Sequence, residues 1–130
     1  MRGKRILAAF MCLLMLSSCG QEIKNYRVHD DLIISFTEAL GKRRLVEKNI
    51  ETENDGRVIT KAQYTYKSDN AAEDKENYLY YLFNNAEATF LGEEKVAIDS
   101  RTLDHAIMVT ATNDEDTFTI SIERISLGVE

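Results

Sequence analysis

His29 and His105 are the only two imidazoles in a chain of 130 residues, so imidazole chemistry can be sited at only two places. His105 lies five positions after Ser100, and a hairpin between them would set the two face to face. A serine opposite a histidine is the start of a nucleophilic site, with the imidazole taking the hydroxyl proton. The nearest acids, Asp99 and Asp104, flank the pair without an orienting role. No G-x-S-x-G elbow and no glycine-rich oxyanion loop accompanies it. The spacing therefore predicts a polar pair at a sheet rim, and an envelope hydrolase using Ser100 and His105 is the last of three functional expectations. His29-Asp30-Asp31 could suggest a metal or acid–base cluster, but adjacent residues at a helix start do not converge on one point. Capping and solvation are expected there. Asn113-Asp114-Glu115-Asp116 is acidic and tight, yet a calcium loop needs roughly six oxygens and a glycine at its sharp turn. A solvated hairpin tip is expected instead. No phosphate-binding glycine motif and no H-E-x-x-H occurs. No catalytic residue, metal ligand or cofactor is expected.

The two cysteines narrow the chemistry further. Arg2, Lys4 and Arg5 precede an 11-residue apolar run from Ile6 to Leu16. A membrane span needs roughly 20 apolar residues, so the run fits the apolar core of a signal peptide. It ends in Leu16-Ser17-Ser18-Cys19-Gly20. This segment resembles the lipobox of bacterial lipoproteins. The resemblance implies that residues 1–18 are a lipoprotein signal peptide, cleaved so that Cys19 becomes the N-terminus and carries a diacylglycerol, with palmitate as a typical chain. Two or more acyl chains hold a protein stably at a bilayer where one does not. Gly20 to Arg27 would form a tether reaching at most roughly 28 Å, so 19–27 is expected to be lipidated cysteine plus tether. Cys12 would leave with the leader, and no thiol would remain for a disulfide, a redox pair, a nucleophile or a thiolate metal site. Gly20, rather than Asp, follows the cysteine. By the same resemblance the anchor would lie in the outer membrane where the envelope has one, and otherwise on the outer face of the cytoplasmic membrane.

Charge excludes a class of partner. The whole chain carries −6, and losing three cations with the leader would leave 112 residues at −9. Nucleic acid and anionic headgroups repel such a domain. Lys42-Arg43-Arg44 is the only basic cluster and is expected to be a solvated turn.

The elements that would position these groups follow from periodicity. Without proline or a low-complexity run, residues 28–130 are expected to form a single α+β domain. Leu32, Ile33, Phe36, Ala39 and Leu40 fall on one face of a 3.6-residue period, predicting a helix over 30–40 that stops at Gly41. Residues 44–66 predict a hairpin closed by a three-residue loop at Asn54-Asp55-Gly56, pairing Glu53 with Arg57. Residues 70–91 predict the longest helix, with capping-box spacing at Asn70–Glu73, an apolar stripe of Leu79, Leu82, Phe83, Ala86 and Phe90, and a stop at Gly92. The last third predicts a three-stranded meander. One four-residue loop pairs Ala111 with Phe118, Val109 with Ile120 and Ile107 with Ile122; a second pairs Val96 with Val109 and Ile98 with Ile107. The order α-ββ-α-βββ predicts a two-layer sandwich: an antiparallel sheet of about five strands, covered on one face by two helices. That content is similar to small cystatin-like or BLIP-like lipoprotein domains, a likeness of fold that does not fix function.

Surface supplies the leading expectation. Tyr78, Tyr80 and Tyr81 crowd three tyrosines into four positions of the long helix, with Tyr81 expected to project opposite the apolar stripe and the others to flank it. Tyrosine is enriched at protein interfaces. Met108, Thr110, Thr112, Thr117, Thr119 and Ser121 would form a flat outer sheet face. The first expectation is a membrane-anchored envelope lipoprotein that binds a protein partner without catalysis, in the immunity, exclusion or assembly roles the resemblance implies. The second is a carrier or sensor of a small apolar ligand, in a cavity lined by Phe36, Phe83, Phe90 and Tyr64.

Overall fold

Phe118, Ile120 and Ile122 alternate with Thr117, Thr119 and Ser121, and the strand they build is the axis of the molecule. The computed structural model describes residues 23–100 and 104–126. Along the described chain run β1 (Asn25–Val28), β2 (Asp31–Ile34), α1 (Phe36–Leu40), β3 (Arg44–Glu53), β4 (Val58–Lys67), α2 (Ala71–Asn85), β5 (Thr89–Gly92), β6 (Lys95–Asp99), β7 (His105–Asn113) and β8 (Thr117–Ser126). β3 to β8 form a six-stranded antiparallel sheet in the order β3-β4-β8-β7-β6-β5, and β1 pairs with β2 alone. Strand accounts for 55% and helix for 20% of the described residues, so the molecule is mostly β.

The expected five-strand sheet under two helices is overturned at two places. Over 30–40 the chain forms β2 and a five-residue helix. Asp31 and Ile33 are buried while Leu32 is exposed, a strand's alternation. The helical spacing of Leu32, Ile33 and Phe36 was a coincidence of strand followed by helix. The turn His29-Asp30 has no glycine to mark it, and His29 itself takes the left-handed φ of 52°. Residues 25–27, expected in the tether, make up most of β1. The second departure is α2, which ends at Asn85, with Glu87 in the left-handed region at φ 57°. Thr89–Gly92 then adds the edge strand β5, paired with β6. At the start of α2, the Asn70 side chain makes no cap bond; Ser68 accepts the Asn70 N–H through its hydroxyl instead.

Registers divide similarly. Val96 pairs with Val109 and Ile98 with Ile107, as the apolar pattern requires. β7 and β8 are displaced by two residues from expectation, so that Ile122 faces Val109 and Arg124 faces Ile107. A slip of two leaves each side chain on its own face, which is why burial still follows the pattern. The β3–β4 hairpin closes through a four-residue turn, 54–57, pairing Glu53 with Val58, and two irregularities break its register. Asn54, Asp55 and Gly56 all have positive φ.

One face of the sheet is covered by α2 over β6, β7 and β8, and by the β1–β2 hairpin over β4 and β8. The hairpin takes the place of the expected first helix. Between these covers Tyr26, Phe36, Tyr66, Tyr78 and Phe118 are almost wholly buried. Fully burying one such side chain is worth about 1.5–3 kcal/mol. Tyr26 stacks on Tyr64 at 4.3 Å between ring centroids, and Phe36 meets Phe118 at 4.7 Å. The phenol groups are placed as carefully as the rings: the Phe36 N–H donates to Tyr26 Oη at 2.9 Å, and Tyr78 Oη donates to the Ile34 carbonyl at 2.7 Å. β3 extends past this cover, and all of its residues are exposed.

Candidate functional site

The expected lipidation residue Cys19 and the expected signal peptide 1–18 lie outside the described residues. Among the described residues no helix is long and apolar enough to cross a membrane.

The two histidines meet at one end of the sheet, around a residue whose role the sequence did not signal. β8 continues its core-facing alternation from Phe118, Ile120 and Ile122 to Arg124. The Arg124 guanidinium places Nη1 2.8 Å from His29 Nδ1 in the β1–β2 turn, and Nη2 2.9 Å from His105 Nδ1 on β7. His105 Nδ1 is also 2.8 Å from Asp104 Oδ1. A ring nitrogen carries either a proton or a lone pair, so it serves Asp104 or Arg124 at any moment. Hydrogen bonding from His105 holds the Asp104 carboxyl below the ordinary carboxylate range, with Arg124's charge adding to it.

Ser100 belongs to the same end. Its backbone N–H donates to the His105 carbonyl at 3.2 Å, so the expected facing pair exists. Its side chain is buried, and its hydroxyl donates to Asp31 Oδ2 at 2.7 Å. An imidazole activates a serine by accepting that proton; here the proton points at a carboxylate on β2. His29, Asp31, Ser100, Asp104, His105 and Arg124 thus tie the N-terminal hairpin to the sheet.

A second polar knot joins Arg43 to α2. Arg43 Nε and Nη2 donate to the two Asp74 oxygens at 2.8 and 3.0 Å, and Ser68 Oγ donates to Asp74 as well. The guanidinium also lies over the Phe36 ring, 5.3 Å from its centroid. Burial pushes the Asp74 carboxyl up, but the bonds from Arg43 and Ser68 outweigh it and hold it below the usual range. Arg43, expected in a solvated turn, is a half-buried structural cation. The acidic tip behaves as a surface turn: Asp116 pairs with Lys67 at 2.7 Å, and Asp114 N–H donates to the Thr117 carbonyl. Among the described residues no three His, Cys, Asp or Glu side chains are grouped to hold a metal ion.

The four residues expected to line one ligand cavity fall in two places. Phe36 and Tyr64 are packed in the core, while Phe83 is exposed and Phe90 half-exposed at the far side of α2. The tyrosine surface is redistributed too. Tyr78 is fully buried and Tyr81 is partly buried against the core. The buried face of α2 runs through Ala71, Asp74, Tyr78, Leu79 and Leu82, and at 100° per residue the opposite direction is that of Tyr80, not Tyr81.

Tyr80 therefore stands out from the fold at 58% exposure, with Phe83 at 46% and Leu91 of β5 at 52%. Phe90 bridges helix and strand, its ring centroid 5.2 Å from both Tyr80 and Phe83. The three rings form one continuous apolar patch over the α2–β5 junction. The sequence missed it because Phe83 and Phe90 share a helical stripe with Leu79 and Leu82 only if the helix continues to Gly92. No family model matches the chain, and neither a curated protein nor a solved structure is found to be similar to it.

Proposed function

We propose that the chain is a membrane-anchored envelope lipoprotein whose folded domain binds another protein without catalysis. The observation that carries this reading is the exposed cluster of Tyr80, Phe83 and Phe90. Scattered exposed apolar residues are ordinary, but a contiguous aromatic patch with a polar surround marks an interaction site. The lipobox resemblance at Leu16-Ser17-Ser18-Cys19 supports attachment at the membrane. The orientation of the Ser100 hydroxyl toward Asp31 supports a polar end that braces the fold rather than cuts a substrate.

In-cell photo-crosslinking tests the reading. A photoreactive residue at Tyr80 should give a discrete protein adduct, and one at exposed Thr112 on the opposite sheet face should not. Absence of an adduct at Tyr80 refutes the binding surface. Lipid attachment is checked separately: Cys19→Ser should abolish incorporation of a labelled fatty acid and release the protein from the membrane fraction.

A further inference from the structure

Charge around the aromatic patch narrows what can dock on it. Glu76 precedes Tyr80 by one helical turn and Phe83 by two, and Glu73 precedes Tyr80 by two turns, so both lie on the patch's side of α2. Both are exposed. The nearby cations do not offset them. The Lys75 ammonium is held by Glu94 at 2.9 Å, and Lys95 alternates with buried Val96, which turns it to the other side of the sheet. An apolar centre flanked along α2 by two exposed carboxylates is therefore presented to solvent.

We infer that this patch receives a cationic amphipathic segment of its partner: apolar side chains set on the Tyr80–Phe83–Phe90 cluster, with lysines or arginines meeting Glu73 and Glu76. The inference rests on the protein-binding reading and names its partner's chemistry. A second copy of the chain would bring the same two carboxylates against themselves, and the chain's overall charge of −6 adds to that repulsion. Anionic lipid headgroups are disfavoured for the same reason. A basic polypeptide is drawn in by the rim and held by the rings, the division of labour in which rim charges govern encounter and buried aromatics govern residence.

The test is to pan the full-length protein against a displayed library of random peptides and then measure selected peptides individually. Sequences pairing Leu, Phe or Trp with Lys and Arg should be enriched. Their affinity should fall with added salt, and should fall roughly tenfold in Glu73→Lys/Glu76→Lys, whose positions are solvent-exposed. Phe83→Ser and Tyr80→Ser should abolish binding with the circular dichroism spectrum unchanged. Enrichment of neutral or acidic peptides that still require Phe83, or indifference to the charge reversal, overturns the cationic partner and leaves the surface standing. Peptides bound equally well by wild type, Phe83→Ser and Tyr80→Ser overturn the surface as well, and concentration-dependent self-association lost in Phe83→Ser would assign the patch to a second copy instead.

Discussion

The hydroxyls of Tyr26 and Tyr66 lie 2.8 Å apart across 40 residues of sequence, joining the β1–β2 hairpin to the sheet it covers. Because Tyr26 Oη also accepts the Phe36 N–H, this one atom links hairpin, helix α1 and strand β4. Tyr26→Phe leaves the buried Phe36 N–H without its acceptor and should cost about 1–3 kcal/mol. Tyr66→Phe removes a hydroxyl but strands no backbone group, and should cost nearer 1 kcal/mol. Urea unfolding of the two variants checks the order, and equal losses would contradict it.

The same phenols set the alkaline limit. Burial raises Tyr26, Tyr64 and Tyr78 above the ordinary phenol range, and raises Tyr66 to about 12. In the unfolded chain these groups ionise near pH 10. Their neutral forms stabilise the fold fully below that pH, and the contribution is lost as pH rises through the folded values. Above about pH 10 the protein should unfold cooperatively, with tyrosinate absorbance rising together with loss of the β signal. A gradual rise in absorbance over an intact fold would contradict this.

Asp74 governs the acid side. Its carboxyl is buried, but bonds from Arg43 and Ser68 hold it below the usual range, so the stability it supplies is present above the unfolded value. That stability disappears as pH falls through the lower folded value. With a third of the Arg43 side chain in water, Asp74→Asn should cost about 1–2 kcal/mol at neutral pH. The difference from wild type should vanish as the solution is acidified; a constant difference at every pH would exclude the carboxylate as its source.

Arg124 should control the hairpin locally. Arg124→Leu removes the bridge between His29 and His105, and amide exchange in β1 and the 29–30 turn should accelerate while the centre of β7 and β8 stays protected. Uniform acceleration throughout would instead mean that Arg124 supports the whole sheet.

Lys48 guards the open edge. It pairs with Tyr64 on the core-facing side of β3, where no cover lies above it. An inward-pointing charge on an edge strand is a defence against strand addition. Lys48→Val would join Leu45 and Ile50 in an uninterrupted apolar edge, and light scattering should show self-association. A monomer at all concentrations would show that the two β3–β4 register breaks suffice alone.

What the sequence revealed depended on how many alignments each segment allowed. Val96, Ile98, Ile107 and Val109 fit one register, and they adopt it. The segment from Leu32 to Leu40 fits two periodicities, and its turn is built on a histidine in the left-handed region instead of a glycine. Reading it as helix concealed β2, and hence the clustering of His29 and Asp31 with Ser100 and Arg124. The aromatic patch was hidden by a similar ambiguity. Phe90 continues the helical stripe in spacing, but the chain leaves the helix at Asn85 and delivers Phe90 from a strand. Arg43 and Asp74 carry no local pattern, since their meeting across 31 residues depends on α2 folding back beside the segment after α1.

The position of β8 determines when the molecule can exist. Every strand and helix it joins is synthesised before it, yet β4 and β7, its neighbours on either side, have no bond to each other without it. Without residues 117–126 the sheet is two separate ladders, β3–β4 and β5–β6–β7, joined only through side chains such as Tyr78, whose hydroxyl donates to the Ile34 carbonyl. The continuous sheet therefore forms only once β8 is present, and a chain cut short before Thr117 should lack it.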